Sequence, residues 1–252
     1  MDTNSKQSYF LLLDSATEVC SVALCDEEGI VAGSKTELAP NRHSELLALF
    51  ADELLKQIPG GAKESLRGVV VSEGPGSYTG LRIGASYAKG LAWALGIPLA
   101  AIPTTQALAL ALLESTEGRK LEVQYPGAVL FPMIDARRME VYAAAYDASG
   151  KLFPTSEIRA LVLTDEEDRR FIKEQIGDRE VIYFGSGAGK AVSAMEELFG
   201  EKAHHCPGIV AGAAAMRQEG LRLIKAGKGV DVGYWTPFYL KEFQATTPKK
   251  KY

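Results

Sequence analysis

A glycine-rich run, Gly74-Pro75-Gly76-Ser77-Tyr78-Thr79-Gly80, lies between a predicted strand and a predicted helix. Glycines at such a junction let backbone N–H groups converge on an anion near the helix N-terminus. The candidate nucleotide or phosphate contacts are Asp14, Gly74, Gly76, Ser77 and Thr79. The spacing matches neither the dinucleotide fingerprint nor the P-loop. Ligand binding and a purely structural turn are therefore equal alternatives, and in either case Thr79 is a candidate helix cap.

Other chemistry-bearing residues are sparse. Asp14 and Asp135 each end a predicted strand, where a carboxylate can hold a magnesium–nucleotide or simply close a turn. His43 opens a helix and His204-His205 lie in a predicted loop, so no two histidines share a helical face as metal ligands do. Ser77 lacks the following glycine of a nucleophile elbow. The sequence therefore predicts no catalytic residue and no metal site.

The elements that position these residues occur twice along the chain. Apolar strands end at Asp14 and at Asp135, an offset of 121, and an Asp-x-x-Gly turn recurs at the same offset. The strands at 69–72 and 181–184, each followed by a glycine run, recur at an offset of 112. The pattern predicts an internal duplication whose second copy lacks about two turns of helix or loop.

Five helices are predicted: at about 41–57, 80–95 and 104–113, after the second glycine run to about 199, and at 208–226. The last returns to pack on the first half. The apolar arc of the first spans about 200°, whereas an ordinary surface helix needs only about 100°. On the second, Gly80, Gly84, Ala88 and Ala92 recur every four residues, which allows close approach of another helix or of the sheet.

We interpret these two helices as a partner interface, with burial inside the chain as the alternative. The predicted interface residues are His43, Leu46, Leu47, Phe50, Leu54, Tyr78, Gly80, Arg82, Ile83, Gly84, Tyr87 and Ala88. On this interpretation, Gly84→Leu breaks the contact and leaves a folded monomer.

Composition sets broad limits on this chain of 252 residues. Its 46% apolar and 24% charged residues are ordinary for a globular protein, and a net charge of −4 leaves no basic field for nucleic acid. Lys249-Lys250-Lys251 are interpreted as part of a flexible, solvated tail at 245–252 and not as an RNA contact.

Cysteine usage and the N-terminus point to the cytoplasm. Cys20 and Cys25 lie five apart on one predicted strand, so they face opposite sides and cannot form a disulfide. An odd cysteine count without framework spacing is typical of a reducing compartment. The first residues have no signal-peptide pattern, and no apolar run is long enough to span a membrane.

The chain resembles the TsaB family, formerly called YeaZ, over nearly its whole length. The motifs that carry the resemblance span residues 12–17, 20–24, 43–47, 73–84, 135–142 and 237–241. The resemblance implies a duplicated actin/Hsp70-like α/β fold (ASKHA, ribonuclease H-like) with two similar lobes. Residues 1–103 with about 208–240 would form the N-terminal lobe, and 104–207 the smaller C-terminal lobe.

The resemblance also implies a function. TsaB is the non-catalytic paralogue that binds and activates TsaD, which forms N6-threonylcarbamoyladenosine at position 37 of ANN-decoding tRNAs. A TsaE-type ATPase joins the pair, TsaB alone is a homodimer, and tRNA is met only through the complex. The family interface uses the two helices singled out above. No cofactor is required, although ATP or ADP at the interface of the complex is an option.

Two further points concern the site. The paired metal-binding histidines of TsaD fall on Thr104 and Leu108 in this sequence, and neither side chain can replace an imidazole. The alternative function is a sugar or acetate kinase-like phosphotransferase of the same superfamily, which would use Asp14 as the acid of its phosphate site.

Overall fold

The computed structural model describes residues 7–38 and 40–241. The first five strands form one mixed sheet in the order β3-β2-β1-β4-β5. They are β1 Tyr9–Asp14, β2 Val19–Asp26, β3 Val31–Leu38, β4 Leu66–Gly74 and β5 Leu99–Pro103. Strands β1, β2 and β3 pair antiparallel, as their short connections predict, whereas β1, β4 and β5 are parallel. The helices inserted between these strands are α1 His43–Leu55, α2 Ala62–Ser65 and α3 Tyr78–Leu95.

A second five-stranded sheet has the order β10-β9-β6-β7-β8. Its strands are β6 Val129–Asp135, β7 Glu140–Ala143, β8 Arg159–Val162, β9 Val181–Phe184 and β10 Ala203–Cys206. Read from β8, its pairings match those of the first sheet strand for strand, with β6 in the place of β1. Helix α6 Glu166–Ile176 corresponds to α1, and α7 Val192–Phe199 corresponds to α3. The predicted duplication is confirmed.

The offsets of 121 and 112 differ because the connection between the first helix of each copy and the next strand has a different length. From the end of α1 to Val69 the chain passes through turns and the short helix α2, whereas only residues 177–180 join α6 to β9. The second copy therefore lacks a turn of helix and its flanking loop, close to the shortening that the offsets predict.

The helices that follow the last strand of each sheet pack mainly on the other sheet. Helix α4 Thr104–Glu114 follows β5, but its Leu108 and Leu112 belong to a core cluster of the second sheet. A 3₁₀ helix at Ala213–Met216 and helix α8 Arg217–Lys225 follow β10 and pack on the first sheet through Met216 and Leu221. The predicted return of the last helix is confirmed, although it begins later than residue 208. The proposed lobe boundaries stay a prediction.

The sequence missed several short elements: α2, α5 Thr116–Gln124, β8, α6 and β10. The loop predicted at His204-His205 is wrong, because both residues lie on the edge strand β10. There the His204 ring stacks 3.7 Å from the ring of Tyr125, and its Nε2 lies 2.6 Å from Glu180 Oε2. Four-residue strands are too short to display a period, and this explains the miss.

The cysteine prediction is confirmed. Cys20 lies in the core between the first sheet and α1, whereas Cys25 lies among the residues that α8 covers. Burial raises the pKa of Cys20 to about 11 and that of Cys25 to about 12, so both stay protonated thiols at neutral pH. No helix in the part of the chain that the structure describes is long and apolar enough to cross a bilayer. The predicted tail at 245–252 lies outside the described residues.

Candidate functional site

The glycine run packs tightly against the turn that joins β1 to β2. The amide of Ser77 donates to the carbonyl oxygen of Ala16 at 2.7 Å. A Cβ atom at Gly76 would overlap that same carbonyl, and one at Gly80 would overlap the carbonyl of Ser15. The glycines are therefore required for the close approach of two backbone segments, whether or not a ligand binds.

Three backbone amides of the run, those of Gly74, Ser77 and Gly80, donate to groups inside the chain. The amide of Gly74 donates to Thr104 Oγ1 at 3.1 Å, and that of Gly80 to Ser77 Oγ at 3.2 Å. Ser77, and not Thr79, is thus the cap of α3. A phosphate cradle needs such amides to point at the ligand. The contacts therefore favour the structural turn among the two alternatives.

Asp14 is fully buried at the end of β1. Its Oδ1 accepts hydrogen bonds from the amide of Ala16 at 3.0 Å and from Ser72 Oγ at 2.7 Å, whereas Oδ2 has no partner among the described groups. Burial raises the pKa of Asp14 above its ordinary value. A carboxyl group enclosed in this way closes a turn, and in the described conformation it is out of reach of the ligand that a phosphotransferase would need.

The stripe of small residues on α3 faces the chain's own sheet. Ala88 and Ala92 are buried in the core with strands β1 and β4, and a Cβ atom at Gly84 would overlap Ser15 Oγ. Gly80, Gly84 and Ala88 therefore allow the helix to approach the chain's own sheet, and this packing favours burial inside the chain over the predicted partner contact for these residues. Gly84→Leu would strain the fold itself and would not leave an undisturbed monomer.

The predicted interface residues of α1 are also mostly internal. All five are buried in the first-lobe core, namely His43, Leu46, Leu47, Phe50 and Leu54. His43 Nε2 lies 3.3 Å from the carbonyl oxygen of Val19. The wide apolar arc is thus satisfied largely inside the chain, and the exposed face of α1 carries Ser44, Ala48 and Leu49 instead.

An open groove of about 650 Å³ separates α1 from α3. It is lined by Ser44, Leu47 and Ala48 of α1 and by Tyr78, Thr79, Arg82, Ile83, Ser86 and Tyr87 of α3. Five predicted interface residues line it: Leu47, Tyr78, Arg82, Ile83 and Tyr87. The predicted interface lacked Ser44, Ala48 and Ser86, and Thr79 was predicted as a phosphate contact instead. Ala48 lies within the apolar arc, and the spacing of four that joins Ser44 to Ala48 and Arg82 to Ser86 is visible in the sequence.

The groove combines apolar surface with a few polar groups. The Arg82 guanidinium lies 5.6 Å from the centroid of the Tyr78 ring, within range of a cation–π contact. Burial, followed by the charge of Asp52, raises the pKa of the Tyr87 phenol. Apolar grooves between two helices are typical receptors for an amphipathic helix of a partner.

The positions that correspond to metal ligands in TsaD are packed. Thr104 is buried and accepts the hydrogen bond from Gly74, and Leu108 is buried among second-lobe residues. Within residues 7–38 and 40–241, no three His, Cys, Asp or Glu side chains lie close enough to hold a metal ion.

Comparison with known proteins assigns the family. A Bacillus subtilis protein named tRNA threonylcarbamoyladenosine biosynthesis protein TsaB is 31% identical over 239 residues, 93% of this chain and 95% of the relative. The chain belongs to the TsaB family. A TsaB-like crystal structure from Pseudomonas aeruginosa, described as similar to peptidase YEAZ, superposes with a TM-score of 0.71 at 26% identity, covering 93% of this chain and all of that one.

The TsaB family is related to the TsaD enzymes. A family model described as "TsaD: tRNA N6-adenosine threonylcarbamoyltransferase" matches residues 28–158. The threonylcarbamoyltransferase of Carboxydothermus hydrogenoformans is 36% identical over 74 residues, only 29% of this chain and 21% of the enzyme. Together with the two matching sheets, these likenesses establish the duplicated actin/Hsp70-like fold for this TsaB-family chain.

Proposed function

We propose that this chain is the non-catalytic partner that binds and activates a TsaD-like paralogue in the complex that forms N6-threonylcarbamoyladenosine at position 37 of ANN-decoding tRNAs. The observation that carries the proposal is the open groove between α1 and α3, on the two helices that the family uses for TsaD. Curated relatives named for threonylcarbamoyladenosine biosynthesis support the pathway.

The proposed lack of catalysis is supported by the packing of the site. Thr104 and Leu108 replace the metal-binding histidines and are both buried, so no metal reaches this edge in the described conformation. Asp14 is enclosed in the same region, and the described amides of Gly74 and Ser77 are bonded within the chain. The chain thus contributes a surface and not a reacting group.

The further partners are part of the same proposal. A TsaE-like ATPase joins the pair, the chain alone forms a homodimer through the same groove, and tRNA meets it only within the complex. ATP or ADP, if it contributes, lies at the interface of the complex, which operates in the cytoplasm. Because one groove serves both dimers, the homodimer and the heterodimer exclude each other.

Reconstitution tests the proposed function. This chain is mixed with the TsaD-like and TsaE-like proteins, threonylcarbamoyl-adenylate and an ANN-decoding tRNA transcript, and modified tRNA is measured with each protein omitted in turn. We expect sustained modification only in the full mixture. Modification by this chain alone would show that the proposal is wrong.

A matched pair of variants tests the groove. Ala48→Glu places a charge in the groove on a side chain that is exposed in the monomer, so the fold is unaffected. Ala94→Glu makes the same change on the exposed surface of α3 outside the groove. Sedimentation is expected to show at least tenfold weaker binding of the TsaD-like partner for Ala48→Glu, because a desolvated unpaired charge costs several kcal/mol. Equal affinity for both variants would contradict the assignment.

A further inference from the structure

The motif Pro237–Lys241 belongs to a segment that crosses both lobes after α8. We call residues 229–241 the C-terminal strap. At its start the amide of Val230 donates to the carbonyl oxygen of Leu99 on β5 at 2.8 Å. At its end Leu240 packs on the second-lobe core, and Lys241 forms an ion pair with Glu140 on β7. The strap therefore contacts both lobes.

Between its ends the strap is anchored on the glycine run and on α3. The amide of Phe238 donates to the carbonyl oxygen of Glu73 at 2.7 Å, next to Gly74 at φ +111°. A Cβ atom at Gly74 would lie 2.5 Å from the Phe238 carbonyl oxygen, so the strap needs glycine there. From α3, Lys89 Nζ donates to the carbonyl oxygen of Trp235 at 2.8 Å.

The strap also reaches one end of the groove. The ring centroid of Tyr239 lies 4.8 Å from that of Tyr78, within the range of a favourable aromatic pair. Arg82 lies against the same Tyr78 ring at 5.6 Å. Tyr78 and Arg82 both line the groove, so a contact made by the strap fixes side chains that a partner would meet.

We infer that the C-terminal strap is a positioning element of the partner-binding groove, and that the contact between Tyr239 and Tyr78 holds the Arg82 end of the groove in its binding form. This inference rests on the proposed function for the identity of the partner, the TsaD-like paralogue. Tyr239 acts through Tyr78, and the ion pair between Lys241 and Glu140 keeps the strap in register with the second lobe.

The first turn of α3 gives the physical reason why a contact from the strap should strengthen partner binding. Tyr78 is the first residue of that helix, and at a helix end fewer backbone hydrogen bonds hold each residue than in the helix interior. A surface that is ordered before association loses less conformational entropy on binding. A strap tied to both lobes supplies this order from outside the helix.

The experiment compares Tyr239→Ala with two controls in heterodimer binding to the TsaD-like protein. Tyr239→Phe keeps the ring and should bind as the native chain does. Tyr234→Ala makes the same truncation in the same strap at a residue that is 88% exposed. We expect Tyr239→Ala to weaken binding about threefold to tenfold, the range for loss of an aromatic pair, while both controls bind normally.

Hydrogen exchange separates positioning from direct contact. In the isolated chain, diluted until the monomer predominates, amides of residues 78–82 should exchange faster in Tyr239→Ala than in Tyr239→Phe or Tyr234→Ala. Unchanged affinity for Tyr239→Ala, equal weakening by Tyr234→Ala, or weakened affinity without faster exchange would each overturn the inference. If the native chain does not bind the TsaD-like protein at all, the proposed function fails, and the exchange comparison still tests the effect of the strap on α3.

Discussion

The strand–turn–helix junctions of the two lobes come from one repeated unit but are closed by different contacts. In the first lobe, the glycine run lies against Ser15 and Ala16, and Asp14 is buried. In the second lobe, Asp135 is exposed and pairs with Lys190, and its backbone amide donates to Ser186 Oγ at 3.0 Å. The helix that follows has 18 residues in the first lobe and eight in the second.

This difference shows how a loop that could hold a ligand becomes part of the fold. Deep packing of the first junction places glycine against backbone and leaves the described amides of Gly74 and Ser77 paired within the chain. The long helix α3 is thereby held on the sheet, and its outer face lines the groove. The second junction also packs glycine against backbone, at Gly185 and Gly187, but its aspartate and Lys190 form their ion pair near solvent.

Among the substitutions that compare the two junctions, Gly80→Ala is expected to lower the free energy of unfolding most. The added methyl group would overlap the Ser15 carbonyl oxygen, so α3 or the β1–β2 turn must shift. We expect the free energy of unfolding to fall by about 3 kcal/mol or more, the upper end of overpacking costs. Urea denaturation followed by circular dichroism measures this loss.

The matched control for that experiment is Gly189→Ala in the second glycine run. A Cβ atom at Gly189 meets nothing within 4 Å, and the residue is exposed, so a change within about 0.5 kcal/mol is expected. Equal losses for the two variants would show that the loss at Gly80 does not come from overlap with the Ser15 carbonyl oxygen.

Asp14→Asn is expected to change the free energy of unfolding less than Gly80→Ala does, and to raise it at neutral pH. Burial raises the pKa of Asp14, so the folded state holds its proton to a higher pH than the unfolded state does. Wild-type stability from this group is fully present below the ordinary pKa of 3.8 and falls as pH rises through the raised folded-state pKa. The variant keeps the Oδ1 acceptor without the charge.

We therefore expect Asp14→Asn to be more stable than wild type at pH 7, with the difference shrinking as the pH falls towards 3.5. Urea midpoints of both proteins across this pH range measure the difference. A variant less stable than wild type at pH 7 would mean that the buried carboxylate is stabilised by a group other than Ala16 and Ser72.

The smallest effect is expected for Asp135→Asn. The variant loses the ion pair with Lys190 but keeps an oxygen that can accept from the amide of Arg137. Because Asp135 is half exposed, the loss should stay below about 1 kcal/mol. Raising the NaCl concentration should make this loss of stability smaller still, since salt screens exposed charges. A salt-independent loss larger than that of Gly80→Ala would reverse the comparison.

Much of the fold was predictable because the same residue types recur at the strand ends and turns of both copies of the duplicated unit. The aspartates at 14 and 135 and the two Asp-x-x-Gly turns mark equivalent places in equivalent sheets. The four-residue strand β9 was predicted because it is a continuous apolar run, whereas β8 and β10 mix polar and apolar residues over four positions and show no period. His204 was misplaced in a loop for that reason.

The sequence predicted which two helices form the candidate site, but it did not predict which face of each helix is exposed. The apolar arc of α1 and the small residues of α3 were correctly seen as unusual, yet most of them face the first-lobe core. Which side of a helix meets the sheet and which meets solvent depends on neighbours from other segments. Ser44, Ala48 and Ser86 therefore emerged only from the packed structure.

The sequence by itself determined the α/β class, the duplication, the family and the absence of a histidine pair at positions 104 and 108, because each depends on residue types at fixed spacings along the chain. Only the tertiary structure decided that the glycine run is closed by the β1–β2 turn, that Asp14 is buried, and that a strap from the C-terminal segment reaches the groove. Those features depend on contacts between residues far apart in sequence, such as Tyr78 and Tyr239, which no local pattern encodes.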